Sequence, residues 1–137
     1  MSTGTIASEM IHFFVAALWT GSTMFFALVV LPVSRASLTD RILDRFMILT
    51  RASALVMVLT GGHLAVTIPD STYETGRGHA IVGMMVLWLV LIGLLEVANA
   101  RADGDSVGTT STRLFQASAL VAAGLLVDAG LLLSNAG

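Results

Sequence analysis

Four long apolar stretches, separated by short polar segments, run along this chain. A helix crosses the roughly 30 Å hydrocarbon core of a bilayer with about 20 mainly apolar residues, and each stretch reaches that length. Pro32 and Pro69 stand where the first two stretches should end, since proline does not continue a helix. The pattern predicts an all-α fold, an integral membrane antiparallel four-helix bundle that forms one domain over residues 1–137. The predicted spans are residues 6–33, 46–68, 78–100 and 114–135.

Composition supports a location in the membrane. Hydrophobic residues make up 55% of the chain and charged residues 12%, whereas a soluble domain carries about 25% charged residues. The N-terminal segment has no positive charge before its apolar run, and that run is longer than the core of a signal peptide. We therefore expect the first apolar stretch to be a retained membrane helix.

The residue types that are absent exclude several kinds of chemistry. The chain has no cysteine, which rules out disulfides, thiolate metal sites and a cysteine nucleophile. All seven basic residues are arginines, so a Schiff-base lysine is also ruled out. The net charge is −2 and there is no basic run, so we expect no binding to nucleic acid.

The arginines divide unevenly between the two ends of the predicted bundle. Arg77 alone lies on the side that holds the N-terminus. The arginines on the other side are Arg35, Arg41, Arg45, Arg51, Arg101 and Arg113. Because arginine-rich loops stay in the cytoplasm, the bias predicts a multi-pass protein of the cell membrane with both termini outside. Arg51 and Glu96 share the cytoplasmic layer and are predicted to form an ion pair.

Ionisable residues collect at one depth of the predicted bundle. His12, His63, His79 and Asp128 all fall in the outer layer, near the side that holds the N-terminus. Ionisable groups inside a membrane usually face the bundle interior and mark a site. The shared depth therefore predicts a single site. Alternatives stay open: a hydrated interfacial position for His79, a packing role for His12 or His63, and a hydrogen bond from Asp128 to a helix neighbour.

Two histidines on facing helices are a common means of holding b-type haem in a membrane, because they ligate the iron from both faces of the porphyrin. The favoured axial pair is His12 and His63, with His79 as the alternative ligand. Asp128 is predicted to orient one of these rings. The further residues predicted to contact the cofactor are Trp19, Gly61, Gly62 and Arg77.

Each of these four residues is predicted to contact the cofactor for a separate reason. Trp19 follows His12 by seven residues and therefore shares its helix face. Gly61 and Gly62 leave room either for a flat ligand or for close approach of a helix. Arg77 supplies a cation for a haem propionate. The predicted role is cytochrome b-like electron transfer or another redox reaction in a lipid environment, with a quinone, a porphyrin or a redox protein as partner. Homo-oligomerisation is left open.

Copper and a purely structural role are the alternatives. Imidazole and thioether ligands suit copper, but the methionines form no close Met-x-Met cluster in the sequence, and methionines in apolar helices usually fill space. A small subunit that packs against larger partners would need no ligand. Small residues such as Ala17, Gly21, Ala119, Ala123 and Gly124 favour that kind of helix contact.

Two membrane families are similar to this chain over roughly its first 100 residues. "MIHFFVAALWTGSTMFFALVVLPVSR", "RASALVMVLTGGHLA" and "YETGRGHAIVGMMVLWLVLIGLLEVANAR" resemble the first three helices of CopD-like proteins. The same pattern resembles the HemJ family of haem-binding protoporphyrinogen oxidases, whose first-helix histidine matches His12 and whose W-x-G element matches Trp19 to Gly21. HemJ-like proteins carry a lysine in the third helix, where this chain has Ile81 or a neighbour. The resemblance therefore implies haem binding and leaves the oxidoreductase activity open.

Overall fold

A computed structural model describes residues 3–34, 40–102 and 107–134, and all regular secondary structure within these ranges is helical. The described helices are α1 (Thr3–Phe25), a π-helical turn (Phe26–Val30), α2 (Leu31–Ser34), α3 (Asp40–Ala65), a 3-10 turn (Asp70–Glu74), α4 (Gly76–Ala100) and α5 (Thr109–Ser134). The π turn and α2 continue α1 without a break. The described chain thus has four long helices, which confirms the predicted all-α class.

Three of these helices are long and apolar enough to cross a membrane. They are Thr3–Val33, Gly76–Ala100 and Thr109–Leu132, and they correspond to the first, third and fourth predicted spans. The second predicted span, 46–68, falls on α3, which is not among the three. Asn135, the predicted end of the last span, lies outside the described residues, as do residues 103–106 and residues 35–39, which include Arg35.

The turn between α3 and α4 explains where α3 ends and α4 begins. The amides of Thr67 and Ile68 bond to the carbonyls of Leu64 and Ala65 before Pro69 redirects the chain. Thr75 then caps α4, because its hydroxyl accepts a 3.3 Å hydrogen bond from the amide of Gly78. Such local bonds end α3 three residues before the predicted limit of the second span.

Helix α1 packs along α3 on one side and along α5 on the other, and α5 packs along α4. Helices α3 and α4 make far fewer contacts with each other. His12 of α1 bonds to Thr60 near the end of α3, whereas Phe26 stacks on Phe46 near its beginning. The first half of α1 therefore meets the second half of α3.

An aromatic cluster fills the core at the Phe26 end of α1. The rings of Phe26 and Phe46 stack at 4.2 Å between centroids, and Phe115 meets Phe26 edge-on at 5.1 Å. Offset and edge-to-face pairs add to the burial of apolar surface. This cluster ties α1, α3 and α5 together, so any opening in the bundle has to lie elsewhere.

An ion pair joins α3 to α4 at the same end of the molecule. Arg51 donates hydrogen bonds of 2.8 and 2.9 Å to the two carboxylate oxygens of Glu96, which confirms the predicted pair. At the other end of α3 and α4 lies a cavity that all four long helices line.

Candidate functional site

A cavity of about 510 Å³ lies between all four long helices, at the end that holds the N-terminus of α1. Its size falls within the range of ligand pockets, which is about 300–1,000 Å³. Its walls are almost entirely apolar, and His12 and Arg77 are the ionisable residues among the described positions that line it. Val58, Met85 and Leu89 line the cavity and are also exposed on the outer surface. The cavity therefore opens between α3 and α4, where these helices make few contacts.

The ring of His12 is held in one tautomer by its neighbour on α3. Nδ1 of His12 lies 2.8 Å from Oγ1 of Thr60, and this hydroxyl also lies 2.7 Å from the carbonyl oxygen of Val56, to which it donates. A threonine hydroxyl has one proton to donate. Because this proton is donated to the carbonyl of Val56, the Thr60 hydroxyl accepts a hydrogen bond from His12. Nδ1 of His12 therefore carries the hydrogen. Nε2 then holds the lone pair that binds a metal or accepts a proton.

Nε2 of His12 has no hydrogen-bond partner among the described residues, and it is not among their fully buried unpartnered atoms. It is therefore accessible at the cavity wall that His12 helps to form. Thr60 thus orients the imidazole through Nδ1, and Nε2 is accessible from the cavity.

Gly61 is the second contact that positions this ring. A Cβ atom at Gly61 would lie 3.2 Å from Cε1 of His12 and 3.7 Å from Nδ1, whereas a Cβ at Gly62 would meet nothing within 4 Å. The missing side chain at Gly61 therefore makes room for His12, not for His63 beside it in the sequence. Gly62 also lines the cavity.

The other two histidines lie elsewhere. The side chains of His63 and His79 are exposed, and neither lines the cavity. His79 sits in the first turn of α4, where its amide bonds to the carbonyl of Thr75. Over residues 3–34, 40–102 and 107–134, no three histidine or acidic side chains lie close enough to hold a metal ion.

Asp128 of α5 turns toward α4 and does not line the cavity. Its Oδ2 would lie 3.8 Å from a Cβ at Gly83 and is buried without a hydrogen-bond partner among the described residues. The residue that orients His12 is Thr60, which the sequence analysis did not single out. The two lie 48 residues apart, so no local pattern connects them.

Two tryptophans form the inner end of the cavity. Trp19 and Trp88 meet edge to face with 6.1 Å between ring centroids, and both line the cavity. Trp19 is only 1% exposed. The prediction that Trp19 and His12 share a helix face agrees with their place in one cavity wall. Among the residues that the structure describes, neither buried indole Nε1 atom has an acceptor, so the two rings support the wall by packing.

Three methionines also line the cavity, although the sequence analysis treated them as core filler. They are Met57 of α3 and the pair Met84 and Met85 of α4. They lie far apart in the sequence or on different faces of one helix, so only packing of α3 against α1 and of α4 against α5 brings them to one cavity. Their thioethers are soft donor groups in the wall of the same cavity as His12.

Arg77 borders both this cavity and a smaller one. The smaller cavity, of about 220 Å³, lies at the same end of the molecule and has a more polar wall that includes Thr5, Glu9 and Thr72. Ile68 and Arg77 line both cavities. Arg77 therefore stands at the polar end of an otherwise apolar cavity. No protein-family model, curated protein or solved structure matches this chain.

Proposed function

We propose that the chain is an antiparallel four-helix protein of the cell membrane, with both termini outside, that binds b-type haem in the large cavity through His12. The observation that carries this proposal is the state of the His12 ring. The Thr60 hydroxyl accepts a hydrogen bond from Nδ1, and Nε2 stays accessible at the wall of an apolar cavity. A ligating histidine needs such a partner on its second nitrogen to fix tautomer and orientation.

The remaining residues of the cavity fit the same ligand. A porphyrin is a broad, flat and mainly apolar ring with two carboxylates at one edge. The apolar wall and the volume suit the ring, and Arg77 at the polar end suits a carboxylate, with which arginine forms strong paired hydrogen bonds. The opening between α3 and α4 gives a lipophilic ligand a route from the bilayer.

The role that fits such a site is electron transfer or another redox reaction at the membrane. The haem supplies the redox chemistry, and the chain supplies ligation, orientation and an apolar environment that tunes the potential. A quinone, a porphyrin or a redox protein is the partner class. The resemblance to CopD-like and HemJ-like proteins belongs to this proposal, and the missing third-helix lysine separates the chain from the HemJ oxidase pattern.

The experiment is a titration of the purified protein with haemin in detergent, followed by optical spectroscopy. We expect a Soret band that saturates at one haem per chain and is lost in His12→Ala. His79→Ala, which removes an exposed imidazole outside the cavity, is the matched control and should bind as the wild type does. A wild-type protein without a Soret band, or a His12→Ala variant with unchanged affinity, would overturn the proposal.

Copper is the second candidate function, and it is favoured by the thioethers of Met57, Met84 and Met85, which line the same cavity as His12. Imidazole and thioether ligands are the donors that Cu(I) prefers. Stoichiometric copper in the purified protein, lost in His12→Ala and without porphyrin absorbance, would replace haem by copper at the same site. A stable co-purifying protein with neither ligand would instead support the structural-subunit alternative.

A further inference from the structure

The set of groups that can ligate iron from the cavity wall is small. Among the described lining residues, these groups are the imidazole of His12 and the thioethers of three methionines. The hydroxyl of Thr20 donates to the carbonyl oxygens of Ala16 and Ala17 within its own helix. A second axial ligand from this wall is therefore a methionine, whereas the sequence analysis predicted a histidine pair.

The three methionines differ in where they stand relative to His12. Met57 belongs to α3 and lies one turn before Thr60, which hydrogen-bonds to the His12 ring. It therefore stands on the same face of α3 as the residue that already holds His12. Met84 and Met85 belong to α4, on the far side of the opening between α3 and α4. An axial pair has to come from opposite faces of a porphyrin, so the α4 methionines are the candidates.

Burial separates Met84 from Met85. Leu91, Leu95 and Ala98 are fully buried, and together with Trp88 they form the inward stripe of α4 at helical spacing. Met84 lies one turn before Trp88 on this stripe and packs against the core. Met85 is 44% exposed. Met84 is therefore the α4 thioether that faces inward.

The contact between Trp19 and Trp88 gives the relative height of the two candidate ligands. His12 precedes Trp19 by seven residues, and Met84 precedes Trp88 by four. In the proposed bundle α1 and α4 run in the same direction, so Met84 starts three residues deeper than His12, or about 4.5 Å. A methionine side chain, with three rotatable bonds and a tilt toward the helix N-terminus, spans an offset of that size.

We infer that Met84 Sδ is the second axial ligand, opposite His12 Nε2, so that the haem is held by a histidine–methionine pair. This inference rests on the proposed haem function. A thioether ligand raises the reduction potential relative to a histidine pair. The site would accordingly take electrons readily from its donor, and the cofactor class becomes a high-potential b-type haem.

The test compares three matched leucine variants of the haem-loaded protein: Met84→Leu, Met57→Leu and Met85→Leu. Each removes one thioether and keeps the apolar volume. We expect the wild-type ferric spectrum to show the weak red absorption that arises from charge transfer between a thioether and iron. Met84→Leu should lose this band and shift to a lower reduction potential while it keeps the Soret band. The other two variants should retain both properties.

The possible results separate the two proposals. A wild-type protein that binds no haemin overturns the proposed function. A wild-type protein that binds haemin but lacks the red band, or one whose spectrum changes in His63→Ala and not in Met84→Leu, overturns the methionine ligand alone. Loss of the band in Met57→Leu or Met85→Leu also overturns it. If Met84→Leu fails to fold, proton NMR of the ferrous wild-type protein decides. The ring current of the porphyrin shifts the methyl signal of a ligating methionine far upfield. Absence of such a signal contradicts the inference.

Discussion

The hydroxyl of Thr60 accepts a 2.8 Å hydrogen bond from Nδ1 of His12, because it donates its own proton to the carbonyl oxygen of Val56. This chain of two hydrogen bonds links α1 to α3 and fixes which nitrogen of the imidazole faces the cavity. It defines the only histidine that lines the cavity over the described residues.

Thr60→Val removes the acceptor and keeps the shape of the side chain. The ring then loses the partner that fixes its tautomer and orientation, and outer partners of this kind contribute about 10–100-fold to metal affinity. We expect haemin affinity to fall by about 10-fold, measured by Soret titration. Thr67→Val is the control, since the exposed Thr67 hydroxyl donates to the carbonyl of Leu64 in its own segment. Equal affinity of Thr60→Val and the wild type would contradict the positioning role.

Gly61→Ala and Gly62→Ala form a matched pair of substitutions on one helix. A methyl group at Gly61 would meet the His12 ring at 3.2 Å, whereas one at Gly62 would enter open space. Alanine in place of a helical glycine stabilises by about 0.5–1 kcal/mol when nothing obstructs it. We expect Gly62→Ala to raise the melting temperature slightly, and Gly61→Ala to weaken haemin binding more strongly than Gly62→Ala does, because only the methyl group at Gly61 meets the His12 ring. Identical behaviour of the two variants would argue against the close contact.

Phe26→Ala should be the most destabilising of these substitutions. Phe26 is 3% exposed and its ring contacts both Phe46 and Phe115. Removing a buried phenylalanine costs about 3–5 kcal/mol because a cavity remains. Phe25→Ala is the control, since Phe25 is 60% exposed. Unfolding in detergent, followed by circular dichroism, should show a large loss for Phe26→Ala and little change for Phe25→Ala. Similar losses in both would mean that the cluster does not hold α1, α3 and α5 together.

The absence of native cysteine makes the predicted orientation directly measurable. Ser71 lies in the exposed turn between α3 and α4, and Gly108 precedes α5 at the opposite end of the helices. In intact cells, a membrane-impermeant maleimide should label Ser71→Cys and spare Gly108→Cys until the membrane is opened. The reverse labelling would invert the topology that the arginine distribution predicts.

Sequence patterns located the helices better than they located the site. The apolar stretches predicted the continuous helical run 3–34 and α4 within three residues of their ends, and α5 within five, because the length of an apolar run is a local property of the chain. The second stretch was less clear: α3 forms but is not among the helices apolar enough to cross a membrane. Its arginines at positions 41, 45 and 51 and its hydroxyl residues dilute the apolar signal.

The histidines show why depth was predictable and direction was not. Thr60 and Gly61 both contact His12, so α1 lies on their side of α3. At about 100° per residue, His63 points about 160° away from Gly61 and about 60° away from Thr60 around the helix. Its side chain is exposed and does not line the cavity. A histidine that shares a layer with His12 therefore need not share its cavity.

By itself, the sequence determined an all-helical chain with helices long and apolar enough to cross a membrane, and the Arg51–Glu96 pair. These features depend on apolar length and on position along a helix, both of which local residues fix. Tertiary structure alone decided that Thr60 orients His12, that Gly61 admits its ring, and that Met84 lines the same cavity. These depend on the rotation of each helix about its axis, which is set by the packing of many distant side chains at once.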